Sequence, residues 1–323
     1  MMPKLSRFIA IAMLSIALAP FAGAQDWPAK PIQLIVGFPP GGPNDLVARA
    51  LAQRLSDQLK QNIVVDNRPG ANGIIAAGLV ARAAPDGYTF LYNSSALALS
   101  PALYKKLQVD PLRELVPVNG TATLPLVLIV DKAFPANNFR EWVAYLKQNP
   151  GRFNYGSPGA GNLAHIGMVM ILRANGLDAV HAPYKGSTLA FTGLLGGDTQ
   201  FQLDSVNSPL ALIRAGKLKA LFVTSRERSP VLPDVATLIE NGMRDVDITG
   251  WQGIMAPAKT PPAIVQRFAG EIAKAMNSQE MQATMAAQGA YSIASTAEGY
   301  ATFFAQEMAR FKKTVDDMGL TLD

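Results

Sequence analysis

The chain contains no cysteine and only two histidines, His165 and His181. Without cysteine there is no disulfide, no thiolate nucleophile, no thiolate-bound metal and no lipid-modified N-terminal cysteine. The two histidines form no HxxxH or HExxH pair, which argues against zinc. No lysine follows a glycine loop at the GxxxxGK[ST] spacing of a phosphate loop. Gly156, Gly159 and Gly161 are spaced wrongly for a GxGxxG dinucleotide fingerprint, and no GxSxG nucleophile elbow occurs. Long single-sign runs are missing too. The 29 basic and 24 acidic residues, net +5, are scattered along 323 positions. Nucleic acid requires clustered basic stripes, so it is not an expected partner.

Long apolar runs are also scarce. After residue 24 the best is Leu124 to Val130, far short of the roughly 20 residues that span a bilayer. The first 24 residues differ. Lys4 and Arg7 form a positive n-region, Phe8 to Leu18 an apolar h-region, and Ala22-Gly23-Ala24 a small-residue end. This is the layout of a secretory signal peptide cleaved after Ala24. Its apolar core is too short for a membrane anchor. Cleavage would leave 299 of the 323 residues and remove Lys4 and Arg7, so 27 basic residues would face 24 acidic ones, net +3. The expectation is a soluble exported chain, long enough for two domains.

What is present is an alternation of short β-rich runs with amphipathic helical stretches. PIQLIVGF (residues 31–38) predicts a buried strand, broken by Pro39-Pro40-Gly41-Gly42. A helix follows with Asn44 or Asp45 as N-cap and an apolar face through Val47, Leu51, Leu55 and Leu59. Further strands are expected at 63–65, 88–92, 126–130, 153–156, 179–182, 201–203, 218–224 and 250–256. Further helices are expected at 74–82, 139–146, from Asn162, at 188–195, 261–276 and 297–318, the last closed by Gly319. Strands alternating with helices predict parallel sheets in an α/β architecture.

One device occurs twice. FPPGGPND near residue 40 and GSPGAGN near residue 160 each end a strand and open a helix. A helix N-terminus carries unpaired N–H groups and partial positive charge, which makes it a site for small anions. Glycine lets the backbone approach such an anion closely. Gly41, Gly42 and Asn44 supply this at the first junction. Ser157, Gly159, Gly161 and Asn162 supply it at the second, with hydroxyl and amide donors added. Neither loop holds Arg or Lys, so an anion there would rest on neutral donors, helix ends and ordered water. The alternative is that both loops are tight turns that only fit helix to strand. His165, one turn into the second helix, is either a donor to the anion or a hydrogen-bonded helix residue.

Taken together, WPAKPIQLIVGFPPGGPND, VVDNRPGANG, AAPDGYTFLY, NYGSPGAGNLAH, HAPYKGS, LLGGDTQFQLDS, AGKLKALFVTSRERSPVLPDVATL, GWQGIMAPAKTPP and AAQGA resemble the substrate-binding receptors of tripartite tricarboxylate transporters, the Bug-type receptors. The resemblance runs from about Trp27 to Gly319. It implies an α/β, two-domain periplasmic binding protein of the Venus-flytrap, type II-like kind, with two extended crossovers near Val116–Val130 and Asp247–Ala256. Residues 26–122 plus about 250–323 would form domain one, and 123–249 domain two. It further implies capture of a small organic carboxylate between the two glycine loops. Phe38, Pro40, Gly41, Gly42, Asn44 and Asp45 would stand on one side, and Ser157, Gly159, Gly161, Asn162 and His165 on the other. Asn93 and Ser94 would reach the variable end of the ligand, and Asp204 matches an aspartate at a strand end. No cofactor or metal is implied. Membrane components of a tripartite transporter are the implied partners, and a monomer is expected. Three residues depart from the family pattern: Pro43 for a small residue, Asn162 for threonine and Gln200 for aspartate.

Physics constrains the acids. Asp45 touching a bound carboxylate would repel it, so it is expected to cap its helix or orient a water. Asp204 would pair with a ligand ammonium or hold neighbouring loop amides. Two rival functions stand beside solute capture. One is a binding module that presents its closed form to the outer domain of a membrane sensor. The other is an exported hydrolase, which needs a nucleophile and base; Ser157 and His165 are its only plausible couple in the sequence.

Overall fold

The computed structural model describes residues 27–243 and 248–322, and the predicted signal peptide lies outside them. Strand β1 (Ile32–Val36) is buried at every position but Gln33, the pattern of a strand covered on both faces. Helix α1 (Pro43–Leu59) follows, then β2 (Ile63–Asn67), a 3-10 turn at Ala71–Gly73 and helix α2 (Ile74–Ala81). Strand β3 (Thr89–Ser94) leads directly into helix α3 (Ser95–Leu103). The 17-residue strand β4 (Leu115–Asp131) then crosses the molecule. Beyond it lie α4 (Phe139–Gln148), β5 (Asn154–Ser157), α5 (Leu163–Ala174), β6 (Val180–Pro183), α6 (Ser187–Gly196), β7 (Phe201–Ser205), α7 (Leu210–Arg214) and β8 (Leu218–Val223). Strand β9 (Thr249–Pro257) returns antiparallel to β4, followed by α8 (Pro262–Met276), α9 (Gln279–Ala287), β10 (Tyr291–Ser292) and α10 (Ala297–Met318). Among the described residues, no helix is long and apolar enough to cross a membrane.

The strand order is β2-β1-β3-β9-β4-β7-β5-β6, with β8 and β10 also paired to β4. Strand β1 is parallel to β2 and β3, and β5 is parallel to β6 and β7. There the expected parallel pairing holds. It fails at β4 and β9, which run antiparallel to each other and to β7 and β3 respectively. The reason is connectivity. Parallel neighbours are joined by helical crossovers, whereas β4 and β9 carry the chain straight from one strand group to the other and back. Strand β4 pairs with β9 from Leu115 to Pro125 and with β7 from Leu126 to Val130. Proline donates no ladder bond, so Pro125 suits the point where the pairing changes partner.

The apolar packing does not divide cleanly between the strand groups. Leu34, Val47, Leu51, Phe90 and Phe268 form part of one buried cluster. Trp142 lies in another, which also holds Ile35 and Leu91 of the first strand group, and it stands edge-on to Phe201 at 5.2 Å and near Phe222 at 6.1 Å between centroids. Truncating such a ring to alanine costs about 3–5 kcal/mol. Helix α10 buries Tyr300, Phe304, Phe311 and Val315, spaced to form one stripe, and packs on α3 and β4. Glu307 on α10 accepts from the Trp251 indole N–H at 2.7 Å. The end of α10 also reaches α5, where Arg173 donates to the Met318 carbonyl at 2.6 Å. Helix α3 is not anticipated by periodicity. Its sequence SALALSPAL has no polar face and holds Pro101, and seven of its nine residues are buried. Helices α7 and α9 and the two-residue β10 are likewise additions to the expected elements.

Candidate functional site: a cleft at four helix N-termini

Gly42, not Asn44 or Asp45, is the N-cap of α1. Pro43 takes the first helical position, where its missing N–H costs nothing and its fixed φ suits the helix. The helix therefore starts earlier than its apolar face suggests, and no side chain caps it. Asp45 turns back on the loop. Its Oδ2 accepts from the Gly41 N–H at 2.9 Å, its Oδ1 from Asn67 Nδ2 at 2.9 Å, and Arg49 Nε lies 3.0 Å from both oxygens. Burial would raise the Asp45 pKa. The Arg49, Gly41 and Asn67 hydrogen bonds, with the Arg49 charge, outweigh it and hold the carboxyl below its ordinary value. Gly41 has φ +77°, a conformation that favours glycine.

At the second junction Asn162 is the N-cap of α5, its Oδ1 accepting from the His165 N–H at 2.9 Å. The Gly161 N–H donates to His165 Nδ1 at 3.1 Å. The His165 ring stacks on His181 at 3.9 Å and 9°, and His181 stacks on Tyr155 at 4.9 Å. Burial pushes the His165 pKa down to about 4. Burial and the charge of His165 push His181 down to about 3. Both rings are therefore neutral near pH 7. Ser157 pairs with His181, its Oγ 2.7 Å from Nε2, and donates to the Gly159 carbonyl at 3.0 Å. This corrects the serine–histidine couple suggested by the sequence: His165 is not the partner of Ser157. The tertiary pairing of β5 with β6, which sets Tyr155 opposite His181, brings His181 there instead. Ser157 is fully buried.

A third junction completes the arrangement. Strand β6 ends at Pro183, and Gly186 (φ +105°) is the N-cap of α6, again with no side-chain cap. Beneath it lies Asp204 at the end of β7, 1% exposed. Its Oδ1 accepts from Ser187 Oγ at 3.2 Å and the Ser205 N–H at 2.8 Å, and its Oδ2 from Gln202 Nε2 at 2.7 Å. Burial raises its pKa to about 7, the three hydrogen bonds opposing that rise.

These junctions surround a cleft of about 240 Å³, below the roughly 300–1,000 Å³ typical for drug-sized ligands. Gly42, Ser94, Asn162 and Gly186, the N-caps of α1, α3, α5 and α6, all line it. Each helix end presents partial positive charge and orphan N–H groups. Lys185 adds a full positive charge at the lining. The floor is made where β4 changes partners and β9 returns, by Leu124, Leu126, Gly250, Trp251 and Gln252. Phe38, Leu163 and Trp251 make much of the wall apolar. The chemistry suits an anionic head at the helix ends and a small apolar body. Among the described residues no group of three or more acidic or histidine side chains could hold a metal ion.

Of the residues singled out from the sequence, Phe38, Pro40, Gly42, Asn44, Ser94, Asn162 and Asp204 line the cleft. Gly41, Asp45, Ser157, Gly159, Gly161 and His165 stand behind it and brace the loops through the bonds described above. Asn93 lines a smaller adjacent cavity and accepts from the Tyr300 hydroxyl at 3.0 Å. The sequence reasoning missed Lys185 to Thr188 and the β9 residues Trp251 and Gln252. The signal for the first was present: HAPYKGS is a third strand, glycine and helix junction of the same type. Nothing local marks Trp251 or Gln252, which reach the cleft only through the pairing of β9 with β4. Of the three departures, Pro43 opens α1, Asn162 caps α5, and Gln200 Oε1 accepts from the Asn154 N–H at 2.8 Å.

Two groups of parallel strands, two crossing strands and a ligand-sized cleft at converging helix ends define a two-domain α/β binding protein of the periplasmic type. Comparison with known proteins agrees. The family described as "Tripartite tricarboxylate transporter family receptor" matches residues 47–320, and the chain belongs to that family. The periplasmic binding protein BugD is 31% identical, with a TM-score of 0.87 over 92% of this chain and 100% of that one. Rpa4515 of R. palustris, solved with adipate, is 30% identical, with a TM-score of 0.89 over 92% of this chain and 100% of that one. MatC of Rhodopseudomonas palustris, solved with bound malate, is 28% identical, with a TM-score of 0.83 over 90% of this chain and 100% of that one.

Proposed function

We propose that the chain is a periplasmic solute-binding receptor that captures a small organic carboxylate in this cleft and delivers it to the membrane components of a tripartite tricarboxylate-type transporter. The observation that carries the proposal is the convergence of four helix N-termini on one cleft. Such ends bind anions without a dedicated arginine. Helices α1 and α6 lack side-chain caps, so their first-turn N–H groups suit direct contact with the ligand carboxylate. The adipate and malate bound by the two relatives are small carboxylates of the same kind. In this reading residues 26–122 with about 250–323 form one lobe and 123–249 the other, and the change of partner on β4 supports that division. The receptor acts as a monomer in the periplasm after removal of residues 1–24, and it has no catalytic step.

The test is a thermal-shift screen of residues 25–323 against small carboxylates, adipate and malate among them, with the matched amides as controls. A ligand that binds only the folded chain raises Tm. A shift by an acid that its amide lacks is the expected result. If no acid shifts Tm, even after unfolding and refolding to strip any co-purified ligand, the carboxylate reading falls. Co-purification of membrane proteins with and without the acid then separates delivery to a transporter from presentation to a sensor.

A further inference from the structure

In the two-lobe reading above, α10 belongs to the first lobe and α5 to the second. The chain that leaves α10 joins them. Gly319 (φ +59°) ends the helix, its N–H donating to the Asp316 carbonyl at 3.0 Å, and the Leu320 N–H donates to the Val315 carbonyl at 3.3 Å. This left-handed turn suits glycine and sends the chain back along α5. Arg173, in the last turn of α5, donates to the Met318 carbonyl at 2.6 Å. Four residues later Leu322 stands at the loop that opens α5. Residues 319–322 are therefore a strap that runs antiparallel to α5, from its last turn to its first. The Leu322 N–H donates to the Leu103 carbonyl at 3.1 Å, which ties the strap to α3.

The strap closes on a glycine. A Cβ at Gly161 would lie 2.6 Å from Leu322 Cδ1, and 3.1 Å from both Leu103 Cδ1 and the Tyr104 hydroxyl oxygen. That hydroxyl also donates to the Ala160 carbonyl at a long 3.5 Å. Leu320, Leu322 and Tyr104 pack against the buried cluster that holds Leu103, Leu163 and Ala164. Three side chains outside the second lobe thus press on the loop before α5. The loop's own bonds set its anion-binding end: Gly161 N–H to His165 Nδ1 at 3.1 Å, and His165 N–H to Asn162 Oδ1 at 2.9 Å. Asn162 lines the cleft, whereas Leu322 and Tyr104 do not.

We infer that Leu322 and Tyr104 are positioning residues for the site: from outside the cleft they hold the turn at Gly161 and Asn162 in its binding form. The strap and α3 stand on one lobe and the turn on the other, so the α5 end takes this shape where the lobes meet as they do here. A turn ordered before the ligand arrives has less freedom to lose on binding. The effect on binding rests on the carboxylate reading of the cleft; the grip on the loop does not.

Hydrogen exchange of residues 25–323 without ligand tests the grip. Leu322→Ala shortens the side chain and leaves its backbone bond to Leu103. Exchange across residues 157–165 should quicken at least ~10-fold, the scale of local opening when a half-buried leucine loses its contacts. Tyr104→Ala should act in the same direction. Exchange in α8 should keep its wild-type rate, because a general loss of stability would quicken both. Leu322→Met keeps the length and the apolar contact and should restore slow exchange. An unchanged rate across 157–165 in both alanine variants, or an equal rise in α8, overturns the inference whatever binds in the cleft. Calorimetric titration with an acid that raises the wild-type Tm tests the consequence. Both alanine variants should bind at least ~5-fold more weakly, the scale on which residues without ligand contact alter binding, and Leu322→Met should match wild type. Faster loop exchange with unchanged affinity makes the grip structural and overturns the positioning role. If no acid binds the wild type, the carboxylate reading fails, and the exchange rates still decide whether the strap holds the loop.

Discussion

A methyl group on Gly186 would lie 2.8 Å from Cγ of Pro39. The loop opening α1 and the loop opening α6 therefore touch across the cleft, with no room for a side chain between them. Gly186 also has φ +105° and ψ 165°, a region open almost only to glycine. Gly186→Ala should weaken carboxylate binding by at least ~10-fold and destabilise the chain by about 1–3 kcal/mol through backbone strain. Calorimetric titration gives the first and denaturant unfolding the second. Small-angle scattering with saturating acid should show a larger radius than wild type; an unchanged radius and affinity would remove this contact from the closing of the cleft.

Gly42 makes the contrasting case. Its φ is −80°, and an added Cβ would meet only the Pro39 carbonyl at 3.5 Å. Gly42→Val should therefore fold, with a melting temperature close to wild type. Its side chain would fill the approach to the uncapped end of α1, and affinity should fall by roughly 100-fold or more, the scale of losing charge-assisted hydrogen bonds. Retained affinity would count against the α1 end as part of the site.

Asp204 ties binding to pH. Its folded pKa, near 7, lies above its ordinary value of 3.8. Its contribution to stability is therefore fully present below pH 3.8 and is lost as pH rises through about 7. Above that point its charge also opposes an anion in the cleft. Affinity for a diacid should fall from pH 6 to pH 8, by up to ~10-fold per unit where binding requires the neutral form. Asp204→Asn should flatten that profile and keep the affinity seen at pH 6. A ligand carrying an ammonium would behave the opposite way and lose affinity in the variant, so one titration series separates diacids from amino acids.

The stacked histidines act on the acid side with opposite sign. Their folded pKa values, about 4 for His165 and about 3 for His181, lie below the ordinary 6.5. Their contribution to stability is present above pH 6.5 and is lost as pH falls through those values. The melting temperature should decline from pH 6.5 toward pH 4. His181→Gln lowers stability at pH 7 by losing the stack, but it should reduce the slope below pH 6.5. An unchanged slope would place the acid sensitivity elsewhere.

Much of the fold was legible in local sequence. The buried run of β1, the helix opened by Asn162 and the last helix, ending at Gly319 (φ +59°), all stand where patterning put them. Each depends on signals inside one segment: apolar period, a capping side chain, a glycine in the left-handed region. Helix α3 was not legible, because a segment apolar on every side has no period to detect. The two glycine loops were visible as anion-binding ends, yet the sequence could not say which residues face the ligand and which hold the loop.

The sequence by itself determined the exclusion of cysteine chemistry, the α/β alternation, the strand and helix junctions and the family. These follow from residue types and short-range order. Only the tertiary structure decided that Ser157 meets His181, that Trp251 and Gln252 floor the cleft, and that Asp204 is buried beneath α6. Those facts depend on strand register and on the paths of β4 and β9, which bring together residues as far apart in the chain as Phe38 and Gln252. No local rule encodes such pairings, because they are settled by burying the apolar faces of all the elements at once.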